Sequence, residues 1–175
     1  REMASGLSMP IGFKNGTDGS FSTAINAIQS ASKSHHFLGV NDDGMASIVN
    51  TTGNPDGHIV LRGGSKGPNF KSQHITSISS ELKESGLPHK VMVDCSHGNS
   101  NKDFRKQSEV LKNVATQLRN GEKNILGIML ESHLKEGNQK LSKSDDLEFG
   151  KSITDACISI ENTKDLLAEL YDSIL

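Results

Sequence analysis

The sequence has no tryptophan and only one tyrosine, so aromatic residues make up 4% of its 175 residues. Apolar residues of all kinds reach only 33%. A chain of this length normally buries well over half of the surface that its unfolded form exposes, and apolar side chains provide most of the gain. The scarcity of apolar residues therefore predicts either a small core or a chain that packs against a partner surface.

The sequence also lacks a long apolar run, a cysteine framework and a large net charge. Its longest strongly apolar run covers residues 125–130, whereas a helix that crosses a bilayer needs about 20 such residues. No secretory leader is recognisable at the start. The two cysteines show no disulfide spacing, which is typical of a reducing compartment. The net charge of −2 argues against a protein that coats nucleic acid. We therefore expect a cytoplasmic protein with neither a membrane nor a nucleic acid as partner.

Short apolar runs alternate with segments of helical periodicity along the chain. Strands are predicted at residues 11–13, 58–61, 90–93 and 124–130. Each is followed, directly or after a polar loop, by a segment with the apolar spacing of a helix. Asp18 or Ser20 is expected to cap the first helix and Thr163 the last. Four strand–helix units of this kind predict an α/β fold built on a parallel sheet.

One segment interrupts this alternation between the first helix and the second strand. Phe37–Asn41 and Ser47–Thr51 are short runs separated by an Asp-Asp-Gly sequence at residues 42–44. A turn sequence of this type between two short strands is typical of a β-hairpin. We therefore predict an inserted hairpin. The polar segment 135–150 is expected to be a loop.

Ionisable residues follow each of the four predicted strands. These residues are Lys14, Arg62, His97 and Glu131. Because the carboxyl ends of parallel strands meet at one edge of a sheet, and α/β proteins place their chemistry there, we expect a single site. The alternative is that loops bordering strands are polar in any protein.

Two of these strand ends combine a cation with glycines, in residues 14–19 and 62–67. An arginine offers two parallel donors to a phosphate or carboxylate, and glycine amides can form an anion-binding nest. The first segment also precedes a predicted helix, whose N-terminus favours anions. Together they predict an anionic ligand, although each segment alone is equally typical of an ordinary turn.

His97, Glu131 and Asp155 offer one nitrogen and two carboxylate donors, a set suited to Mn²⁺, Fe²⁺, Co²⁺ or Zn²⁺. They lie far apart in the sequence and match no local metal motif. The alternatives are a hydrogen bond from His97 to loop backbone, an ion pair between Glu131 and Lys14, and a helix-capping role for Asp155. Cys95 is expected to be a buried, unreactive thiol.

Five segments closely resemble one family over essentially the whole chain. They are residues 9–19, 53–64, 93–100, 131–139 and 149–157. The family is the 3-deoxy-D-arabino-heptulosonate 7-phosphate (DAHP) synthases, in the feedback-regulated form of bacteria and fungi. The resemblance implies a (β/α)8 TIM barrel, of which this chain is the C-terminal half, strands five to eight with their helices. Residues 1–175 are then a single partial domain, and residues 36–53 are an inserted regulatory hairpin.

The resemblance also implies an aldol-type condensation of phosphoenolpyruvate with erythrose 4-phosphate, the first step toward the aromatic amino acids. Lys14 and Arg62 would bind the carboxylate and phosphate of phosphoenolpyruvate, and His97 would contact the phosphate. His97, Glu131 and Asp155 would be three of four ligands to a divalent metal, and Asp155 would also border the substrate. A cysteine in the missing N-terminal half would be the fourth ligand, so this chain alone is expected to be inactive.

A feedback pocket for tyrosine or phenylalanine is implied as well. Its lining would be Leu7, Ser8, Phe37, Gly39, Val40 and Val49. The family's members are homo-oligomers, and we expect the same here. Two alternatives stay open. One is a non-catalytic effector-binding or assembly fragment, and the other is a different phosphoenolpyruvate-dependent aldol synthase, such as the enzyme that makes an eight-carbon sugar-acid phosphate.

Overall fold

The computed structural model describes residues 1–141 and 147–175 and shows a mixed α/β fold. In chain order its elements are α1 (Glu2–Ser5), β1 (Ile11–Lys14), α2 (Ser22–Ala31), β2 (His36–Val40), β3 (Ala46–Asn50), β4 (Gly57–Leu61), α3 (Ser72–Glu84), β5 (Val91–Asp94), a 3-10 turn (Phe104–Lys106), α4 (Gln107–Arg119), β6 (Ile125–Met129), β7 (Ser132–His133), β8 (Ile158–Ser159) and α5 (Ile160–Asp172). In the described residues, no helix is long and apolar enough to span a bilayer.

Four strands form the main sheet in the order β1-β4-β5-β6, and every neighbouring pair is parallel. The central strand β4 is buried along its whole length, as expected for a parallel strand with both faces covered. The predicted parallel sheet is therefore confirmed. Its four carboxyl ends lie at one edge, which is where the ionisable residues were expected.

The core lies between one face of this sheet and the helices α2, α3 and α4. Alternate strand residues, such as Ile59 and Val93, have no exposed surface and pack against helix residues such as Ile78 and Leu111. These helix positions belong to the apolar stripes that the sequence predicts. Burial of such side chains stabilises the fold by about 1.5–3 kcal/mol each.

The predicted hairpin is present as a separate antiparallel pair, β2 and β3. Phe37 pairs with Val49 and Leu38 with Ile48, and each strand begins one residue earlier than expected. Thr51, which directly follows β3, ties the hairpin to α1 because its Oγ1 lies 2.7 Å from the Ser5 hydroxyl. The hairpin is thereby held beside the start of the chain rather than against the main sheet.

Two predicted helix caps are wrong. The N-cap of α2 is Phe21, which has no capping side chain. Asp18 instead accepts hydrogen bonds from the Ser20 amide and hydroxyl within a turn, and these bonds lower the pKa of Asp18. The N-cap of α5 is Ser159, which accepts from the Asn162 amide, because β8 runs directly into the helix.

Thr163 lies inside the first turn of α5 and donates to the Ser159 carbonyl. The predicted loop 135–150 has neither a helix nor a regular strand in its described part. Residues 142–146 of that loop lie outside the described residues. Glu148 forms ion pairs with Lys135 at 3.0 Å and with Lys151 at 3.2 Å. The pair with Lys135 connects the first described part of the loop to the second.

Candidate active site

A cleft of about 550 Å³ lies at the carboxyl edge of the main sheet. Its walls are Thr17, Arg62, Gly63, Gly64, Ser65, Ser96, His97, Gly98, Lys102, Phe104, Glu131, Asp155 and Ala156. Three of the four residues expected at strand ends, Arg62, His97 and Glu131, therefore share one cleft. Asp155 joins them from the segment that leads into β8. Lys14 does not line the cleft, and its ammonium group contacts Asp94, which lies beside His97.

His97, Glu131 and Asp155 come together in this cleft although they are distant in the sequence. One donor atom from each residue lies within 4.8 Å of the other two. His97 Nε2 is 3.6 Å from Glu131 Oε1. His97 and Glu131 are half-buried and Asp155 is exposed, so the set is open to the cleft. One imidazole and two carboxylates at this spacing fit a divalent transition metal.

Asp94 links this donor set to Lys14. Its buried carboxylate lies 2.8 Å from Lys14 Nζ and 2.9 Å from His97 Nδ1. The contact with His97 is not aligned as a hydrogen bond. Lys14 thus pairs with Asp94 and not with Glu131, so the alternative ion pair is wrong. Asp155 likewise does not cap α5, since Ser159 does.

Glu131 is held in place by two side chains that the sequence analysis did not single out. Ser96 donates its hydroxyl to Glu131 Oε2 at 2.7 Å. Gln107, which is fully buried, accepts from the Glu131 amide at 2.8 Å and donates to its carbonyl at 3.1 Å. Ser96 could have been suspected from its place beside His97. Gln107 offers no signal, since a glutamine at the start of a helix is common.

Buried asparagines hold the backbone of Arg62 and Gly63. Asn15 Oδ1 accepts from the Arg62 amide at 2.8 Å, and its Nδ2 donates to the Gly63 carbonyl at 2.9 Å. Asn69 Oδ1 accepts from the Gly63 amide, and the Asn69 amide donates to Asn99 Oδ1, each at 2.8 Å. These bonds satisfy polar groups that would be costly to bury unpaired. They also fix where the arginine leaves the sheet.

The glycine amides of residues 62–67 do not form the expected anion nest. The Gly64 amide donates to the Gly67 carbonyl, and the Gly67 amide donates back to Gly64. The Ser65 amide donates to Thr17, and the Gly63 amide to Asn69. This expectation is wrong because these donors are used inside the protein. An anion in the cleft would therefore not be bound by these four amides.

These glycines are required by a close approach between loops. A Cβ atom at Gly63 would lie 2.5 Å from the carbonyl carbon of Gly98 and 2.6 Å from the Asn99 nitrogen. A Cβ atom at Gly64 would lie 2.4 Å from the Gly19 nitrogen. A side chain at position 63 would separate the loops that carry Arg62 and His97, and one at position 64 would push the Arg62 loop away from Gly19.

The backbone around His97 adopts an uncommon conformation. His97 has a φ angle of 55°, Asn101 of 53° and Lys102 of 61°, all in the left-handed region that non-glycine residues seldom adopt. The Lys102 amide donates to the His97 carbonyl at 2.7 Å. Residues in this region cost about 1–3 kcal/mol each and persist where the surroundings hold them. Such positions cluster at functional sites.

Cys95 is a buried thiol, as expected. It has no exposed surface, and burial together with the nearby Asp94 charge raises its pKa to about 12. A thiol with so high a pKa stays protonated and unreactive at neutral pH. Burial also raises the pKa of Cys157. Neither cysteine belongs to the donor cluster found among the described residues.

The residues expected to line an effector pocket are only partly brought together. Phe37, Gly39 and Val49 share the half-buried face of the hairpin, and a Cβ atom at Gly39 would lie 2.6 Å from Val49 Cγ2. Val40 lies on the opposite face and is 69% exposed. Leu7, with Ser8 after it, lies in the segment between α1 and β1 and is 38% exposed. Three of the six therefore form one surface.

A parallel α/β sheet whose carboxyl edge carries a nitrogen and carboxylate donor set beside an arginine has an arrangement typical of α/β enzymes. The sequence model of the DAHP synthetase I family matches residues 1–168. The chain therefore belongs to the DAHP synthetase I family.

The names of similar proteins support this family membership. The chain is 50% identical over 175 residues to the Tyr-sensitive phospho-2-dehydro-3-deoxyheptonate aldolase of Escherichia coli (strain K12), with 99% of this chain and 49% of the relative covered. It is 52% identical over 174 residues to the Phe-sensitive enzyme of the same strain, again with 99% and 49% covered. The tyrosine-inhibited enzyme of Schizosaccharomyces pombe is 47% identical over 178 residues, with 99% and 48% covered.

A solved structure shows the same fold. The phospho-2-dehydro-3-deoxyheptonate aldolase of Francisella tularensis SCHU S4 superposes with a TM-score of 0.93 at 43% sequence identity. The alignment covers 99% of this chain and 50% of that chain. The chain thus spans about half the length of the relatives that it matches.

Proposed function

We propose that this chain is part of a DAHP synthase, which condenses phosphoenolpyruvate with erythrose 4-phosphate and releases phosphate. The observation that carries the proposal is the convergence of His97, Glu131 and Asp155 beside Arg62 in one cleft. The identity of 50% with an enzyme named phospho-2-dehydro-3-deoxyheptonate aldolase supports the same reaction. The two free cysteines fit a reducing, cytoplasmic location.

The chain would form strands five to eight of a (β/α)8 barrel. Its main sheet has two edge strands, β1 and β6. The chain covers about half the length of its relatives. Apolar side chains are exposed at Leu126 on β6 and at Leu167 and Tyr171 on α5. A second half of the barrel would pair both edges and cover these side chains. Residues 1–175 would then be one partial domain, inactive without the half that completes the site.

Arg62 and Lys14 would bind phosphoenolpyruvate. The guanidinium of Arg62 lines the cleft, and its fixed donors suit a phosphate or carboxylate. Lys14 is one-third exposed, so its ammonium group can contact both Asp94 and a ligand. These cations would hold the substrate with its reactive carbon toward His97 and Glu131. With both substrates held in the site in this way, the attack of phosphoenolpyruvate on the aldehyde would behave as a unimolecular step.

The donor set fits Mn²⁺, Fe²⁺, Co²⁺ or Zn²⁺, held by His97, Glu131 and Asp155. A bound cation would supply Lewis-acid polarisation of the erythrose 4-phosphate carbonyl. Ser96 and Gln107 would keep Glu131 in position for it. The carbanion-like C3 of phosphoenolpyruvate would add to the aldehyde, water would add at C2, and phosphate would leave. Arg62 would stabilise the negative charge on the departing phosphate.

The hairpin would serve feedback inhibition by tyrosine or phenylalanine. The relatives include Tyr-sensitive and Phe-sensitive enzymes. The half-buried hairpin face of Phe37, Gly39 and Val49 would contact the aromatic amino acid, together with Leu7 and Ser8. Residues 36–53 would be the regulatory insertion, with the Val40 side chain outside this surface. A homo-oligomer is proposed by analogy with the family.

The test uses the longer polypeptide that includes this sequence, assayed for consumption of phosphoenolpyruvate with erythrose 4-phosphate. Arg62→Ala should raise the KM for phosphoenolpyruvate at least tenfold, because a charge-assisted contact contributes about 1.5–3 kcal/mol. Arg119→Ala, on the exposed end of α4, is the matched control and should change nothing. An unchanged KM in Arg62→Ala would remove Arg62 from the site.

The metal assignment has its own measurement. Glu131→Gln should lose the bound metal, as read by elemental analysis of the purified protein, while wild type retains it. Stoichiometric metal in the variant would exclude Glu131 as a ligand. Substituting arabinose 5-phosphate for erythrose 4-phosphate distinguishes the related eight-carbon synthase. Turnover only with the five-carbon sugar phosphate would overturn the proposed reaction.

A further inference from the structure

Asp94, the last residue of β5, carries a carboxylate that none of the roles above explains. Its side chain is completely buried. A buried carboxylate is costly unless it is paired and hydrogen-bonded. Two hydrogen bonds, from Lys14 and Ser96, and one further contact, with His97, surround it. Two of these three partners are residues assigned to ligand binding.

A single oxygen of Asp94 contacts two side chains from different parts of the fold. Asp94 Oδ2 lies 2.8 Å from Lys14 Nζ, at the end of β1, and 2.9 Å from His97 Nδ1. The other oxygen, Oδ1, accepts from the Ser96 amide at 2.9 Å. Ser96 in turn donates its hydroxyl to Glu131. The carboxylate thus stands between the lysine and the donor set.

We propose that Asp94 is a positioning residue that sets both the Lys14 ammonium group and the His97 imidazole, and so acts on anion affinity and metal affinity together. This inference rests on the proposed function, which supplies the two ligands, phosphoenolpyruvate and a divalent cation. Asp94 itself contacts neither ligand. It acts through the two side chains that do.

The effect on His97 follows from the direction of its ring. With Nδ1 against Asp94, Nε2 faces Glu131 at 3.6 Å and is available to a cation. His97 also has a strained backbone, with φ at 55°, so contacts to its ring help to hold an otherwise unfavourable geometry. Outer-shell partners that orient a metal-binding histidine typically change metal affinity 10- to 100-fold. Asp94 orients this ring through a 2.9 Å contact that is not aligned as a hydrogen bond.

The effect on Lys14 follows from the flexibility of its side chain. A lysine has a long stem with many rotamers, and an exposed ammonium group would sample many positions. The contact with the buried Asp94 confines Nζ to one place at the carboxyl edge of the sheet. Loss of this contact should therefore weaken binding of the substrate anion.

The experiment measures Mn²⁺ binding and steady-state kinetics in the longer polypeptide, for wild type, Asp94→Asn and Lys14→Met. Free Mn²⁺ is counted by electron paramagnetic resonance without substrates, so this readout is independent of turnover. Asp94→Asn should weaken Mn²⁺ binding 10- to 100-fold and raise the KM for phosphoenolpyruvate at least tenfold. Lys14→Met should raise the KM alone and leave Mn²⁺ binding within twofold of wild type. Asp165→Asn, on the exposed face of α5, is the matched control.

The two singly substituted proteins separate the inference from its alternatives. Lys14→Met leaves the fully buried Asp94 carboxylate without its cation, so this variant has the greater risk of misfolding. The double variant Lys14→Met/Asp94→Asn removes both charges and should fold while still binding Mn²⁺ weakly. If Asp94→Asn or the folded double variant binds Mn²⁺ within twofold of wild type, the inference is overturned. If wild type does not condense the two substrates, the proposed function fails, and the Mn²⁺ ratio still tests Asp94.

Discussion

Replacement of Gly63 by alanine should destabilise the protein through the close approach of two loops, and Gly44→Ala provides a matched control. Both glycines have positive φ angles, 70° at Gly63 and 76° at Gly44. An alanine in this region costs about 1–2 kcal/mol wherever it occurs. At Gly44, on the tip of the hairpin, an added Cβ would meet no atom within 4 Å. The control therefore isolates the backbone cost.

At Gly63 the added Cβ would be 2.5 Å from the Gly98 carbonyl carbon and 2.6 Å from the Asn99 nitrogen. Both contacts are with backbone, so a loop must move rather than a side chain. Overpacking of this kind costs about 1–3 kcal/mol. We expect Gly63→Ala to lose about 2–5 kcal/mol in total, which is the sum of that cost and the backbone cost.

Urea denaturation followed by far-ultraviolet circular dichroism measures the difference, since the chain has no tryptophan to report by fluorescence. The two variants should have equal m values, and the midpoint of Gly63→Ala should be the lower one. Equal losses of stability in the two variants would show that the loops do not pack as closely as the distances indicate. A large loss in Gly44→Ala would refute the assignment of the hairpin tip as open space.

Three further results are expected from other parts of the chain. Ser96→Ala should weaken metal binding without unfolding the protein, because it removes the hydroxyl donor to Glu131; unchanged metal content at limiting metal would contradict this. Cys95 should resist alkylation in the native protein and react after unfolding, since it has no exposed surface; peptide mass spectrometry reads the modification, and native labelling would refute its burial. The pKa of Glu148 should be below its ordinary value of 4.5 because Lys135 and Lys151 donate hydrogen bonds to its carboxylate. The stabilising contribution of Glu148 is therefore present above pH 4.5 and is lost as the pH falls through the lowered pKa. Carbon-13 titration should show the pKa of Glu148 returning toward 4.5 in Lys151→Met.

The location of the site could be predicted because it follows from the periodicity of the fold. The apolar strands and the helical stripes define four strand–helix units, and in a parallel sheet the residues after each strand meet at one edge. Arg62, His97 and Glu131 were placed together by that reasoning, and the structure puts them in one cleft. Asp155 was a candidate from the chemistry of its side chain alone, and only the family resemblance connected it to the others, because no spacing argument does.

The contacts within the site could not be predicted in the same way. Lys14 follows its strand as expected, but its ammonium group contacts Asp94, 80 residues away. The glycines of residues 62–67 were expected to offer free amides, and these amides are bonded inside the protein. A hydrogen-bond partner depends on which loops meet and at what distance, and the sequence pattern does not contain that information.

The helix caps show the same limit at a smaller scale. Thr163 and Ser159 are both suitable capping residues, four positions apart at the start of α5. Ser159 is the N-cap of α5 because β8 ends at this residue in an extended conformation, with ψ at 159°. This strand, β8, has two residues and pairs with β7, so it is too short to show a recognisable strand pattern in the sequence.

The sequence by itself determined the class of fold, the inserted hairpin and the set of side chains that we propose to bind a metal and an anion. These depend on local periodicity and on the chemistry of individual residues, which a linear pattern carries. Only the tertiary structure decided that Asp94 stands between Lys14 and His97, that Asn15 and Asn69 hold the backbone beside Arg62, and that Gln107 secures Glu131. Such contacts join residues from different strands and loops, so they exist only once the chain has packed.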